Sequence, residues 1–155
     1  DELRAKYAAL AAKPGFRRLR ETAPLLATWD DHDYGENDAG ADYPMKEASR
    51  RVFCDFFGEP ADSPRRARDG IFAGYVFGPA GRRVSGAPVP GPYARNPDHA
   101  ATMLGSAQWD WLESQLALPA DVRILASSLQ VAADFPGWEA WVNYDRDRAR
   151  LIDAI

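Results

Sequence analysis

Four consecutive polar residues, Asp30, Asp31, His32 and Asp33, form the part of the sequence best suited to chemistry. Carboxylates and imidazoles are ligands that hard and borderline metal ions accept in proteins, so the cluster is a candidate metal site. Alternate side chains of an extended segment point to opposite faces, and only one or two of the four can therefore reach a single ion. The alternative is an Asp-rich turn that binds its own backbone, with His32 at the surface. Spacing alone favours this alternative.

Two short apolar runs are predicted to position the polar residues that follow them. Residues 24–29 read Pro-Leu-Leu-Ala-Thr-Trp and predict a buried strand that ends at Asp30. Residues 122–126 predict a second buried strand, which is followed by Ser128 and Gln130. Functional groups in α/β domains gather beyond the carboxyl ends of strands, so Ser128 and Gln130 are possible neighbours of the first cluster. Ser and Gln residues are common at the ends of strands, so capping of the loop remains the stronger interpretation for these two residues.

The remaining pattern predicts helices between the short strands. Apolar residues at helical spacing indicate helices over residues 2–12, 44–58, 105–118 and from about residue 145 onward. Residues 70–77 alternate like a strand and lead into a Gly-Pro turn at 78–81. The expected antiparallel partner is only three residues long before a run rich in Gly and Pro begins. Helices alternating with strands predict an α/β domain with long loops.

Composition narrows the functional classes. The chain has 155 residues, 46% of them hydrophobic, which is sufficient for one globular domain. Its net charge of -4 has no long single-sign block, which disfavours nucleic-acid binding, and Arg65, Arg66 and Arg68 are interpreted as a solvated loop. Cys54 is the only cysteine and is predicted to be a small buried residue. No stretch approaches the roughly 20 apolar residues of a membrane span.

One segment resembles a known family. Residues 27–35 read Ala-Thr-Trp-Asp-Asp-His-Asp-Tyr-Gly and, with Asn37-Asp-Ala-Gly40, are similar to the signature of the alkaline phosphatase D (PhoD-like) metallophosphatases. The similarity continues in register through Pro44, Lys46, Phe56-Phe57-Gly58, Ser63-Pro-Arg-Arg66 and Gly70-Ile-Phe72. Further landmarks in the family's order are Leu104 to Trp109, Trp111 to Glu113, Ser127-Ser128 with Gln130, and Trp138 to Tyr144. The resemblance covers nearly the whole chain.

The resemblance implies a fold and a site. The fold is a partial metallophosphoesterase-like β-sandwich of the calcineurin-like superfamily, flanked by helices, with several metal ions at its strand ends. Members hydrolyse phosphomonoesters or phosphodiesters. An Asn-His pair normally supplies a metal ligand and a catalytic imidazole, and Asp31-His32 occupies that place here. Asp31 is thus the expected metal ligand and His32 the group that stabilises phosphate or the leaving group, with Asp30 and Asn37 as weaker candidates. Iron and calcium are the metals of well-known members, but oxygen ligands do not distinguish them from manganese or magnesium.

The sequence also departs from the family pattern. Metal-ligand segments are expected upstream and downstream of residues 1–155, and an apolar strand is expected after Val84, but the chain contains none of these. We therefore expect a single partial domain, part of an enzyme that is inactive in isolation and that binds no metal by itself. The alternative is a non-catalytic module, in which Trp138 and Trp141 form a partner surface or pack against the last helix. Family members are often exported, but cellular location, substrate and oligomeric state stay open.

Overall fold

Helices make up most of the regular structure. The computed structural model describes residues 2–37, 39, 42–77, 102–135 and 140–155, and the backbone of residues 83–85. Within these ranges the helices are α1 (Glu2–Ala12), α2 (Pro14–Thr22), α3 (Asp31–Tyr34), α4 (Lys46–Phe56), α5 (Gly105–Leu116) and α6 (Asp145–Ala154). Short 3-10 turns occupy Pro64–Arg66 and Trp141–Asn143.

The predicted partial β-sandwich, and with it the α/β class, is wrong for the part of the chain that is described. The strands in the described ranges are β1 (Arg83–Ser85) and β2 (Arg123–Leu125). They pair in parallel, with Val84 opposite Ile124. One isolated parallel bridge joins Gln130 to Ala140. Two three-residue strands cannot form two packed sheets, so the described ranges are mainly helical.

Residues 24–29 and 70–77 form no strands, and the Arg65 side chain joins the two segments instead. Its Nε donates to the carbonyl of Ile71 at 2.7 Å, and its Nη2 donates to the carbonyl of Ala27 at 2.8 Å. A guanidinium group therefore joins the two segments through carbonyl oxygens that a β-ladder would otherwise use. The predicted solvated loop around Arg65 is likewise wrong, because this residue is buried.

Most predicted helices are confirmed. The predictions over 2–12, 44–58, 105–118 and from 145 correspond to α1, α4, α5 and α6. The strand predicted at 122–126 is β2, but its predicted burial is wrong, because Val122 and Ile124 are exposed. Helix α2 was not predicted, because Pro14 was interpreted as a stop. Proline is tolerated in the first helical turn, where its missing N–H has no intrahelical partner, and here it begins a new helix after Lys13. The predicted turn at 78–81 and most of the region after Val84 lie outside the described residues.

An aromatic cluster joins α1, α4 and the segment before α3. Tyr7 stacks on Phe56 with 4.3 Å between ring centroids, and Trp29 meets Phe53 edge to face at 5.8 Å. Cys54 is fully buried in this cluster, which confirms its predicted packing role. The cluster fixes the position of Trp29, the residue immediately before the acidic cluster.

A second apolar cluster joins α5, α6 and the 3-10 turn between β2 and α6. Trp109 of α5 meets Trp141 edge to face at 6.4 Å, and both pack with Leu112 and Leu151. Trp141 is buried here, which confirms the interpretation that it packs with the last helix, whereas Trp138 lies outside the described residues. This cluster fixes the start of α5, which faces the candidate site.

Candidate functional site

The acidic cluster forms a capped helical turn rather than an extended strand exit. Asp30 is the N-cap of α3, and its Oδ1 accepts the N–H of Asp31 at 3.0 Å. Asp33 accepts the N–H of Asp30 at 3.2 Å, which completes a capping box, and it accepts the hydroxyl of Tyr7 at 2.9 Å. The backbone-binding alternative therefore describes Asp30 and Asp33, and the expected extended geometry is wrong.

A cavity of about 830 Å³ opens beside this turn. Its wall includes Asp30, Asp31 and Ser128, which the sequence analysis had placed at two separate predicted strand ends. The side chain of Asp31 is only 11% exposed, so its carboxylate faces the protein rather than bulk solvent. The structure thus brings three of the six predicted site residues to one cavity.

The other three predicted residues lie elsewhere. The side chain of His32 is 73% exposed and is not part of the cavity wall, although its Nε2 is 3.9 Å from Oδ2 of Asp31. Asn37 and Gln130 are both exposed and also lie outside the wall. The carbonyl of Gln130 accepts the N–H of Trp141 at 3.1 Å, as the isolated bridge requires. The His32 side chain therefore lies next to a residue of the cavity wall, Asp31, but does not itself line the cavity.

The wall also carries basic residues, to which sequence reasoning gave no role. Lys46 and Arg50 of α4 and Arg68 of the following segment line the cavity together with Glu47 and Asp69. Arg50 donates to the carbonyl of Arg68 and forms an ion pair with Glu47. Lys46 and Arg50 are four residues apart on a helix, so their shared face was visible in the sequence, but that this face borders the same cavity as Asp31 was not.

Burial perturbs two ionisable groups of the cavity wall. It lowers the pKa of Arg68, and the nearby Arg65 acts in the same direction. Burial also raises the pKa of Tyr34, and Asp42 and Asp69 add to that effect. Burial thus disfavours the charged form of both groups, although Glu59 partly opposes the effect on Arg68.

The described residues fit a complete metal centre poorly. They contain no group of three or more His, Cys, Asp and Glu side chains placed to hold a metal ion. Asp30 already caps α3, which leaves Asp31 as the acidic-cluster residue best placed toward the cavity. Metal sites require about four or more ligands, so Asp31 can supply one ligand of a centre but not the centre itself. The expected metal roles of Asp31 and Asp30 stay predictions.

Comparisons with known proteins add no match to these observations. No protein-family model matches the chain, and no curated protein or solved structure is similar to it. Among the helices of the described ranges, none is long and apolar enough to cross a membrane. The residues that line the cavity are therefore the observations that bear on function.

Proposed function

We propose that this chain contributes the substrate cavity of a metal-dependent phosphoesterase that acts on phosphomonoesters or phosphodiesters. The observation that supports the proposal is the presence of both carboxylate and cationic side chains around one cavity. Its wall holds Asp31 and Ser128, the further carboxylates of Asp30, Glu47 and Asp69, and the cations of Lys46, Arg50 and Arg68. Cationic donors favour phosphoryl oxygens, whereas a carboxylate near the same oxygens is suited to a metal ion that neutralises their charge.

Each residue has a separate task in this proposal. Asp31 provides one ligand oxygen, and the remaining ligands come from outside the described residues. A bound metal would polarise the phosphoryl oxygens and supply hydroxide as the nucleophile. Arg50 and Arg68 orient the phosphoryl group, and His32, whose exposed ring adjoins Asp31, protonates the departing alkoxide.

The proposal is tested with the full-length product of the gene beside the 155-residue chain. In the full-length protein with added metal, His32→Ala and Asp31→Ala each lower kcat for p-nitrophenyl phosphate by about 100-fold or more, because a general acid or a metal ligand is lost. His99→Ala is the matched control, since it removes the only other histidine of the chain and retains activity. The 155-residue chain alone gives negligible hydrolysis with iron, calcium or manganese.

Two results would contradict these expectations. Hydrolysis by the isolated chain that His32→Ala abolishes would show that the site is complete within 155 residues. Hydrolysis by the full-length protein that neither His32→Ala nor Asp31→Ala changes would remove the proposed roles of both residues.

A non-catalytic module with a structural or partner-binding role is the second candidate. It is favoured by the position of His32 outside the cavity wall and by the lack of a three-ligand metal group in the described ranges. Absence of hydrolysis by both proteins, with every metal tested, would favour this candidate over the phosphoesterase.

A further inference from the structure

Three N–H donors without an acceptor surround the cavity. Nε1 of Trp29, Nε of Arg50 and Nε of Arg68 are buried atoms without a hydrogen-bond partner in the described structure. All three residues belong to the cavity wall, where Trp29 is 3% exposed and Arg50 is 7% exposed. We call these three residues the donor cluster. A buried donor without an acceptor costs about 1–3 kcal/mol, so three at one cavity require an explanation.

The start of α5 adds further donors to the same cavity. Gly105, Ser106 and Ala107 line the wall, and the N–H of Gly105 already donates to Oγ1 of Thr102 at 3.2 Å. The N–H groups of Ser106 and Ala107 have no acceptor within the helix, and the N-cap residue Leu104 provides no side-chain acceptor for them. A helix start carries partial positive charge and favours anions; the Asp147 carboxylate, which accepts the N–H groups of Met103 and Leu104, balances part of this charge, while Ser106 and Ala107 border the cavity that the donor cluster lines.

The two arginines of the donor cluster differ in their charge partners. Arg50 forms an ion pair with Glu47, whereas the guanidinium carbon of Arg68 lies 3.7 Å from the centroid of the Phe72 ring, an apolar partner that carries no counter-charge. Burial, together with Arg65, lowers the pKa of Arg68. An anion within the cavity would counter that effect and accept hydrogen bonds at the same time.

We propose that the donor cluster and the start of α5 form an oxyanion subsite that binds a phosphoryl group without the help of a metal. The occupant must offer several acceptor oxygens and negative charge, and a phosphate group offers both in a compact tetrahedral shape. The subsite deepens the proposed function, on which the identity of its occupant rests. It assigns substrate contacts to Trp29, Arg50 and Arg68, to which sequence reasoning gave no role in the site.

The test is calorimetric titration of inorganic phosphate into the 155-residue chain in the presence of EDTA. Saturable binding is expected, and Arg50→Gln and Arg68→Gln each weaken it by at least about tenfold, the change produced by losing one charge-assisted contact. Arg51→Gln is the matched control, because Arg51 is an exposed neighbour on α4 that is not part of the cavity wall. Its Kd stays within about twofold of the original value, since its charge is screened by solvent.

Folding of each variant is verified by circular dichroism and thermal unfolding. Arg50 also bonds Glu47 and the carbonyl of Arg68, so Arg50→Gln alone could act through the fold. Arg68→Gln provides the second variant, because the recorded contacts of its guanidinium are with the rings of Phe72 and Trp111. A folded Arg68→Gln protein with weakened phosphate binding supports the subsite.

Failure of the subsite can be distinguished from failure of the phosphoesterase. No saturation up to about 10 mM phosphate, or equal weakening by Arg51→Gln, overturns the subsite. Phosphate binding in EDTA without hydrolysis by the full-length protein supports the subsite and removes the proposed enzyme. Hydrolysis that depends on His32 without phosphate binding in EDTA does the reverse.

Discussion

Arg65 and Arg50 are both buried next to the aromatic cluster, but their hydrogen bonds differ. Arg65 donates from Nε to Ile71, from Nη1 to Glu59 and Tyr75, and from Nη2 to Ala27, all within 3.2 Å. Arg50 uses its terminal nitrogens for Glu47 and the Arg68 carbonyl and has no acceptor for its Nε. A satisfied buried arginine stabilises a fold, whereas a buried arginine with an unsatisfied donor beside a cavity retains a hydrogen-bonding group for a ligand.

The position of the two residues explains this difference. Arg65 connects the segments around Ala27, Glu59 and Ile71, so every bond it makes is internal to the protein. Arg50 stands where α4 borders the cavity, and part of its bonding capacity faces that space. We therefore expect substitutions in the internal networks to lower stability and substitutions in the cavity wall to weaken ligand binding.

The largest effect is expected for Arg65→Met. The substitution leaves the largely buried Glu59 carboxylate without its cation and the carbonyls of Ala27 and Ile71 without donors. Removing one partner of a buried pair costs about 3–5 kcal/mol, and urea unfolding followed by circular dichroism measures this loss.

Arg50→Met is the matched comparison. Glu47 is about half exposed and can be solvated when its partner is lost, and the substitution also removes an unsatisfied donor. We expect a loss of about 1 kcal/mol. A loss as large as that of Arg65→Met would show that the two arginines do not differ in the way proposed.

An effect smaller than that of Arg65→Met but larger than that of Arg50→Met is expected for Asp147→Asn, because Asp147 forms an internal network in the second apolar cluster. Its Oδ2 accepts hydrogen bonds from Thr102 at 2.8 Å, Met103 at 2.6 Å and Trp109 at 3.1 Å. Loss of the charge weakens all of them and costs about 2–3 kcal/mol in urea unfolding. Asp153→Asn, at an exposed position of α6, is the control and changes stability by about 0.5 kcal/mol or less. Equal losses in both proteins would contradict the role of Asp147.

The smallest effect is expected for Tyr7→Phe, which removes the 2.9 Å hydrogen bond to Asp33. The cost at neutral pH is about 1 kcal/mol. Burial, and then the charge of Asp33, raise the pKa of Tyr7 above its ordinary value of 10.0. The folded protein therefore holds this proton more tightly than the unfolded chain, and its contribution is complete below about pH 10 and declines above it.

Urea unfolding from neutral pH to about pH 11 measures this dependence. Tyr34 and Tyr75 also have raised pKa values and remain in both proteins, so the difference between the two curves isolates Tyr7. The advantage of the original protein over Tyr7→Phe shrinks as the pH rises above about 10. Curves that stay parallel would show that Asp33 and burial do not hold the Tyr7 proton.

Local patterns predicted the helices because helix formation depends on residues three and four positions apart. The prediction for α4 used the spacing of its apolar residues and the stop at Gly58, whose φ of 71° suits glycine. Residues 24–29 were mispredicted because a short apolar run is compatible with a strand or with an irregular buried segment. The missing information was the distant Arg65, which bonds the carbonyl of Ala27.

The sequence by itself determined α1, α4, α5 and α6, and the position of an acidic-imidazole cluster that begins at Asp30. Only the tertiary structure decided that Asp31 and Ser128 share a cavity with Arg50 and that the His32 side chain lies outside its wall. Residue type and short-range spacing determine the local conformation and which kinds of ligand the side chains are able to bind. Burial and hydrogen-bond partners depend on contacts between residues far apart in the chain, which no local pattern specifies.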